Sequence, residues 1–291
     1  MKLHFIVGTG RCGSSLVHEL LANHQQAGFV SNIEDNLPRL HLLGRFNNPM
    51  YRLTKGAFTE KGRLRFAPSE AYNVIRQQVS PVYENSCRDL VAEDVTPWLR
   101  KRFRTFFETR CQAQGKEWFL HKYTGWPRIG FFADIFPEAR FVHIVRDGRA
   151  VANSWLQMDW WGGYRGPHLW QWGLLDARSQ QEWIDSGQSF VTLAGLCWRI
   201  LMEAFASEGG RLHPSRYMEV RYEDFVANPV ESLRSMVEFI GLPWSTRVEQ
   251  AAARAVVHDS RKRAYEHDLT REQVAELERV AGGMLARLGY V

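Results

Sequence analysis

The chain has little cysteine: its four, Cys12, Cys87, Cys111 and Cys197, lie far apart among 291 residues. No pair has the spacing of a metal site or a CxxC redox motif, so free thiols in a reducing compartment are expected. Long hydrophobic runs are also lacking. No stretch approaches the roughly 20 apolar residues of a membrane span. Met1-Lys2 leads at once into Leu3-His4-Phe5-Ile6-Val7 and then a glycine-rich turn, too short an apolar segment for a secretory signal. These absences point to a cytoplasmic protein. There is no Gly/Ser-rich or Pro-rich linker, no repeat and no low-complexity tract, so one domain over residues 1–291 is expected. What is present is ordinary for a globular chain: 45% apolar and 24% charged residues, at a length that can bury a sizeable core. Lys and Arg total 37 against 32 Asp and Glu, a net charge of +5. Such a balance suits an anionic partner or simple solubility, and becomes informative only where particular arginines meet an anion site.

Strands and helices alternate along the chain. Leu3 to Val7 reads as a buried strand stopped by Gly8, and Ser14 to Asn23 as a helix with Leu16, Val17, Leu20 and Leu21 on one face. Residues 44 to 70 are polar and without a clear period. Pro97 to Gln114 reads as a helix with proline in its first turn. Glu117 to Lys122 and Arg140 to Arg146 read as buried strands joined by a short helix over Pro127 to Phe136, a βαβ unit that implies parallel strands. Helices follow at Arg149 to Leu156, Ser189 to Ser207 and Val230 to Ile240, with a strand at Tyr217 to Arg221. Thr270 to Leu288 reads as a last helix, with Thr270 and Gln273 as a capping box. The expected fold is α/β: a three-layer P-loop-type architecture with a central parallel sheet flanked by helices.

Two motifs carry chemistry. The first, Gly8-Thr9-Gly10-Arg11-Cys12-Gly13-Ser14-Ser15, joins the first strand to the first helix. Loops of this kind aim backbone N–H groups and a helix N-terminus at an anion. A nucleotide hydrolase wants Lys at position 14; here Ser14 stands there and the cation is Arg11, which argues against magnesium-dependent phosphoryl transfer. A plain tight turn is the alternative. In the second motif an apolar strand ends at Arg146, and Ser154 follows about two helical turns later. Both can face the carboxyl ends of the strands, where parallel α/β sheets bind ligands, and an Arg–Ser pair can grip a phosphate. A local ion pair between Arg146 and Asp147 is the alternative.

Taken together, the two motifs resemble those of the sulfotransferases that use 3′-phosphoadenosine-5′-phosphosulfate (PAPS). The first resembles the family's 5′-phosphosulfate loop and the second its 3′-phosphate site. The Arg-containing loop and the Val145-Arg146-Asp147-Gly148-Arg149-Ala150 run are most similar to the tyrosylprotein, carbohydrate and bacterial branch. Val220-Arg221-Tyr222-Glu223-Asp224-Phe225-Val226 and Met284-Leu285-Ala286-Arg287-Leu288-Gly289-Tyr290 also resemble segments of that family. Unlike the Golgi members, the chain is expected to have no N-terminal anchor, and no cysteine pair matches theirs.

The resemblance implies sulfuryl transfer from PAPS to an acceptor hydroxyl, leaving the desulfated nucleotide PAP. The implied partners are a nucleotide co-substrate and a hydroxyl-bearing acceptor, with no metal, nucleic acid or membrane span. It implies that Gly10, Arg11, Cys12, Gly13, Ser14 and Ser15 hold the 5′-phosphosulfate, that Arg146 and Ser154 hold the 3′-phosphate, and that Tyr222 meets the adenine. Arg261 and Lys262 would close over the nucleotide, unless the Ser260-Arg261-Lys262-Arg263 run is only solvated charge. Lys122 takes the place of the cation beside the leaving oxygen, a surface lysine at a strand end being the alternative. Glu34 takes the place of the general base, with Asp35 and His121 as rivals. Trp155, Trp160, Trp161, Trp170, Trp172 and Trp183 form either an acceptor site or a second core layer. A P-loop kinase and an inactive nucleotide-binding protein are the competing functions.

Overall fold

The structure, a computed structural model, describes residues 1–38, 44–53, 65–170, 172–255 and 263–290. In chain order its main elements are β1 (Lys2–Gly8), α1 (Ser14–Leu21), β2 (Ala27–Gly28), α2 (Asn32–Asn36), α3 (Asn47–Leu53), α4 (Tyr72–Gln78), α5 (Val82–Asn85) and α6 (Pro97–Ala113). Then come β3 (Trp118–Thr124), α7 (Ile129–Ile135), β4 (Phe141–Val145), α8 (Gly148–Leu156), α9 (Ala177–Asp185), α10 (Phe190–Gly210) and β5 (Tyr217–Arg221). The last are α11 (Tyr222–Ala227), α12 (Pro229–Phe239), α13 (Thr246–Arg254), α14 (Tyr265–Asp268) and α15 (Arg271–Arg287).

The five strands form one sheet in the order β2-β3-β1-β4-β5, every neighbouring pair parallel. β1 is central. The helical crossover from β3 to β4 therefore passes over β1, and the chain leaves β1 at the point where strand order reverses. Loops at such a switch point leave a crevice at the strand carboxyl ends.

The strands are apolar without strict alternation because both faces of the sheet are covered. On one face Phe5, Phe119 and Phe141 pack with Phe107 of α6, Phe132 of α7 and Trp198 of α10. Phe5 stacks on Phe132 and Phe141 at ring separations of 4.6 and 5.2 Å. On the other face Ile6, Leu120 and Val142 pack with Val17 and Leu21 of α1, Met236 of α12 and Val248 of α13. The expected three layers are therefore formed.

Local signals set several helix starts. Thr96 accepts a hydrogen bond from the Leu99 amide with Pro97 in the first turn of α6, and Thr270 and Gln273 form the expected capping box of α15. One expectation is corrected. The 21-residue α10 is long and apolar enough, at mean hydropathy 1.4, to cross a membrane by length and composition. In this fold it is instead packed between α8 and α15 as a core helix, with Leu193, Leu196, Leu201 and Phe205 fully buried.

Candidate active site

The carboxyl ends of β1, β3, β4 and β5 bring four chain segments together. The loop after β1 turns through left-handed backbone at Gly10 (φ +82°), Arg11 (φ +56°) and Gly13 (φ +96°). Arg11 is no glycine, and left-handed backbone there costs about 1–3 kcal/mol, a strain that clusters at functional sites. Gly13 is needed twice over. Besides its φ, a Cβ there would lie 2.3 Å from the Tyr222 ring. Cys12 is buried, with its sulfur packed beneath Gly8, and Ser14 is buried at the first turn of α1.

Arg11 and Arg146 meet at this loop. Arg11 Nε donates to Ser154 Oγ at 2.9 Å, and Arg146 Nη1 donates to the Arg11 carbonyl at 2.9 Å. The Arg146 guanidinium also lies over the Tyr222 ring, 4.7 Å from its centroid. The alternative pairing of Arg146 with Asp147 is not formed. Asp147 caps α8 by accepting from the Arg149 amide and pairs with the Arg149 side chain at 2.8 Å. Tyr222 lies against Gly13 and under Arg146 at the start of α11. Arg261 and Lys262 lie outside the described residues.

β3 supplies the third cation. Lys122 Nζ donates to Ser15 Oγ at 2.7 Å and pairs with Glu70 Oε1 at 2.6 Å. Thr124 Oγ1 donates to the same Glu70 oxygen at 3.0 Å. Lys122 is thus held in the site by a serine of the loop and is not a surface lysine; only 7% of its side chain is exposed.

The acids and histidine expected to supply a base are placed elsewhere. Glu34 is sealed: its side chain is 0% exposed, it accepts from Arg110 Nε at 2.6 Å, and Asn47 Nδ2 lies 3.4 Å away. An ion pair so enclosed presents no proton acceptor to the crevice, so the structure does not support the role expected for Glu34. Asp35 holds a turn together, accepting from Ser69 Oγ at 2.9 Å and from the Val74 amide at 3.0 Å. Burial pushes its carboxyl above the ordinary range. His121 is fully buried on the core side of β3, 3.0 Å from Tyr83 Oη, and burial drives it well below its usual value, so it stays neutral.

The tryptophans divide. Trp155, Trp161, Trp170, Trp172 and Trp183 are all buried core residues, and Trp160 is exposed. Trp155 and Trp172 stack at 5.3 Å and border the crevice. A Cβ at Gly10 would lie 3.7 Å from Trp155 Nε1, and one at Gly125 would lie 3.3 Å from Trp172 Nε1. Among the described residues the buried Trp155 indole N–H has no hydrogen-bond partner. A buried donor left unmade is costly.

Sequence reasoning missed Glu70, Thr124 and this placement of Trp155. Glu70 falls in the tract without clear period, and no motif spacing ties it to Lys122, 52 residues on.

Comparison with known proteins gives this geometry a context. Residues 4–246 match the family model described as "Sulfotransferase family". The chain is 26% identical, over 98% of its length and 74% of the relative's, to omega-hydroxy-beta-dihydromenaquinone-9 sulfotransferase Stf3 of Mycobacterium bovis. It is 31% identical to carbohydrate sulfotransferase 3 of Mus musculus, over 38% of this chain and 22% of that one. Among solved structures it is similar to sulfotransferase STF9 from Mycobacterium avium, with a TM-score of 0.56 at 14% identity, covering 98% of this chain and 76% of that one. Sulfotransferase STF1 from Mycobacterium tuberculosis gives 0.52 at 18% identity, covering 97% and 77%. These two likenesses concern the fold.

Proposed function

We propose that this chain, which belongs to the sulfotransferase family, transfers a sulfuryl group from PAPS to an acceptor hydroxyl. The observation that carries the reading is the convergence, at one helix N-terminus, of three cations from three strand ends: Arg11 after β1, Lys122 on β3 and Arg146 after β4. A nucleotide bearing phosphosulfate at one end and phosphate at the other needs several cations around one loop, and this cluster suits that need. PAPS, when bound, supplies a sulfuryl group activated by its anhydride link to phosphate.

The residues fit that co-substrate. The α1 N-terminus, Arg11 and the Ser14 and Ser15 hydroxyls suit the phosphosulfate end. Arg146 and Ser154 suit the 3′-phosphate, Ser154 exchanging its bond from Arg11 for one to the phosphate. Lys122 is the cation we assign to the charge that gathers on the leaving oxygen. It is preorganised by Ser15, so it costs little reorganisation as the reaction proceeds. The Trp155–Trp172 stack packs beneath Gly10 and Gly125 and stiffens the floor of the site.

The test is calorimetry with PAP and with ATP–Mg²⁺. PAP should bind without metal, and its affinity should fall with added salt because the contacts are arginine to phosphate. Tighter binding of ATP–Mg²⁺ than of PAP would replace this reading with the kinase one.

A further inference from the structure

We infer that Glu70 is the general base that takes the acceptor's proton, an inference that rests on the sulfuryl-transfer reading above. Glu70 is the acid that pairs with Lys122, at 2.6 Å, and Lys122 in turn touches Ser15 of the anion loop. The carboxylate therefore lies one side chain away from the place where the sulfuryl group would be held. Its side chain is 25% exposed, unlike that of Glu34, so an incoming hydroxyl can reach it. Both hydrogen bonds, from Lys122 and from Thr124, fall on Oε1; among the described residues Oε2 accepts none. One oxygen is anchored and the other carries no hydrogen bond among the described residues, which leaves it able to accept a proton.

The backbone holds Glu70 in place. Ala71, the next residue, has left-handed backbone at φ +59° without being glycine. The strained turn is over-determined by its partners. Ser69 Oγ accepts from the Ala71 amide and donates to Asp35, Asp35 also accepts from the Val74 amide, and the Ser69 amide donates to the Val30 carbonyl. Tyr72 anchors the same turn to the end of β3, donating to the Thr124 carbonyl at 2.9 Å and accepting from its amide at 3.2 Å. Strain that is maintained by so many contacts beside a carboxylate marks a functional position.

The step balances as follows. The acceptor oxygen uses a lone pair to bond sulfur, and the bond from sulfur to the bridging phosphate oxygen breaks. That electron pair stays on the bridging oxygen, beside Lys122. The hydroxyl proton passes to Glu70, which later releases it to water. Lys122 thus serves both ends of the transfer: it holds Glu70 beforehand and neutralises the leaving oxygen afterwards.

The experiment compares wild type with Glu70→Gln and Glu70→Asp. PAP affinity is measured by calorimetry, and turnover of labelled PAPS is followed with water, aliphatic alcohols, phenol and p-nitrophenol as acceptors. We expect Glu70→Gln to bind PAP within about threefold of wild type. Transfer to un-ionised acceptors should fall by about 10²-fold or more, the scale of general-base loss. Transfer to p-nitrophenol, already ionised at mildly alkaline pH, should fall by less than about tenfold, because it has no proton to give up. Glu70→Asp should recover part of the loss. A merely structural residue would depress all acceptors alike. The inference is overturned if Glu70→Gln transfers to alcohols or water at near wild-type rate, or loses every acceptor equally. If wild type itself binds no PAP, the sulfuryl-transfer reading fails instead.

Discussion

Replacing Glu34 by glutamine separates structure from catalysis at this acid. The substitution keeps the shape and removes one charge from a pair in which both side chains are nearly inaccessible, 0% for Glu34 and 8% for Arg110. Stripping a partner from a buried ion pair costs about 3–5 kcal/mol, because the other charge stays desolvated. Arg110 keeps two acceptors, the Phe106 carbonyl and Gln78 Oε1, and the glutamine carbonyl can still take the Nε hydrogen bond. The cost should therefore fall below that range, at about 2–3 kcal/mol. For a chain of this size that is a drop in Tm of about 3–5 °C. Thermal and urea unfolding read the loss directly, and PAP titration with turnover per folded molecule reads function. We expect the melting point to fall while PAP affinity and kcat stay within about threefold. Replacing both Glu34 and Arg110 by methionine should recover much of the stability, since an apolar pair needs no desolvated charge. An unchanged Tm, together with a 10²-fold loss of kcat and intact PAP binding, would refute this reasoning. It would return the base to Glu34 and remove it from Glu70.

Three other outcomes are expected. Arg146→Ala should weaken PAP binding by about 2–4 kcal/mol and Ser154→Ala by about 1 kcal/mol, measured by calorimetry; equal affinity in wild type and Arg146→Ala would show that the 3′-phosphate lies elsewhere. Gly13→Ala should weaken PAP binding at least about tenfold and lower Tm, because its Cβ meets the Tyr222 ring at a backbone angle alanine resists. Burial raises the Asp89 carboxyl to about 7; its Oδ1 accepts from the Arg128 amide and its Oδ2 is buried without a partner. Between about pH 4 and pH 7 the folded protein then holds a proton that the unfolded chain has lost, so this group's contribution to stability falls as pH rises through that window. Asp89→Asn should remove that slope and be the more stable protein at pH 8, by about 2–4 kcal/mol in urea unfolding.

Much of this protein was decided by its sequence alone. The strand–loop–helix order at residues 3–21, the apolar strand ending at Arg146 and the capping box at Thr270 are local signals, and each formed where its residues required. The three-layer parallel sheet follows from them, since strands apolar on both faces need helices above and below. Tertiary structure decided the rest. Chain spacing could suggest Glu34, Asp35 and His121 as bases, but it could not show that Arg110, Ser69 and Tyr83 already engage them. Nor could it place Glu70 against Lys122, because that pair forms only when the 68–74 turn folds back onto the end of β3. Composition made residues 155–183 look like a platform, whereas packing put five of their six tryptophans in the core and left the Trp155–Trp172 stack at the crevice. The physical reason is common to all these cases. Helices, strands and caps are set by neighbours in sequence, whereas a carboxylate becomes a strut or a base according to the charge, solvent and partners that the fold brings to it from far along the chain.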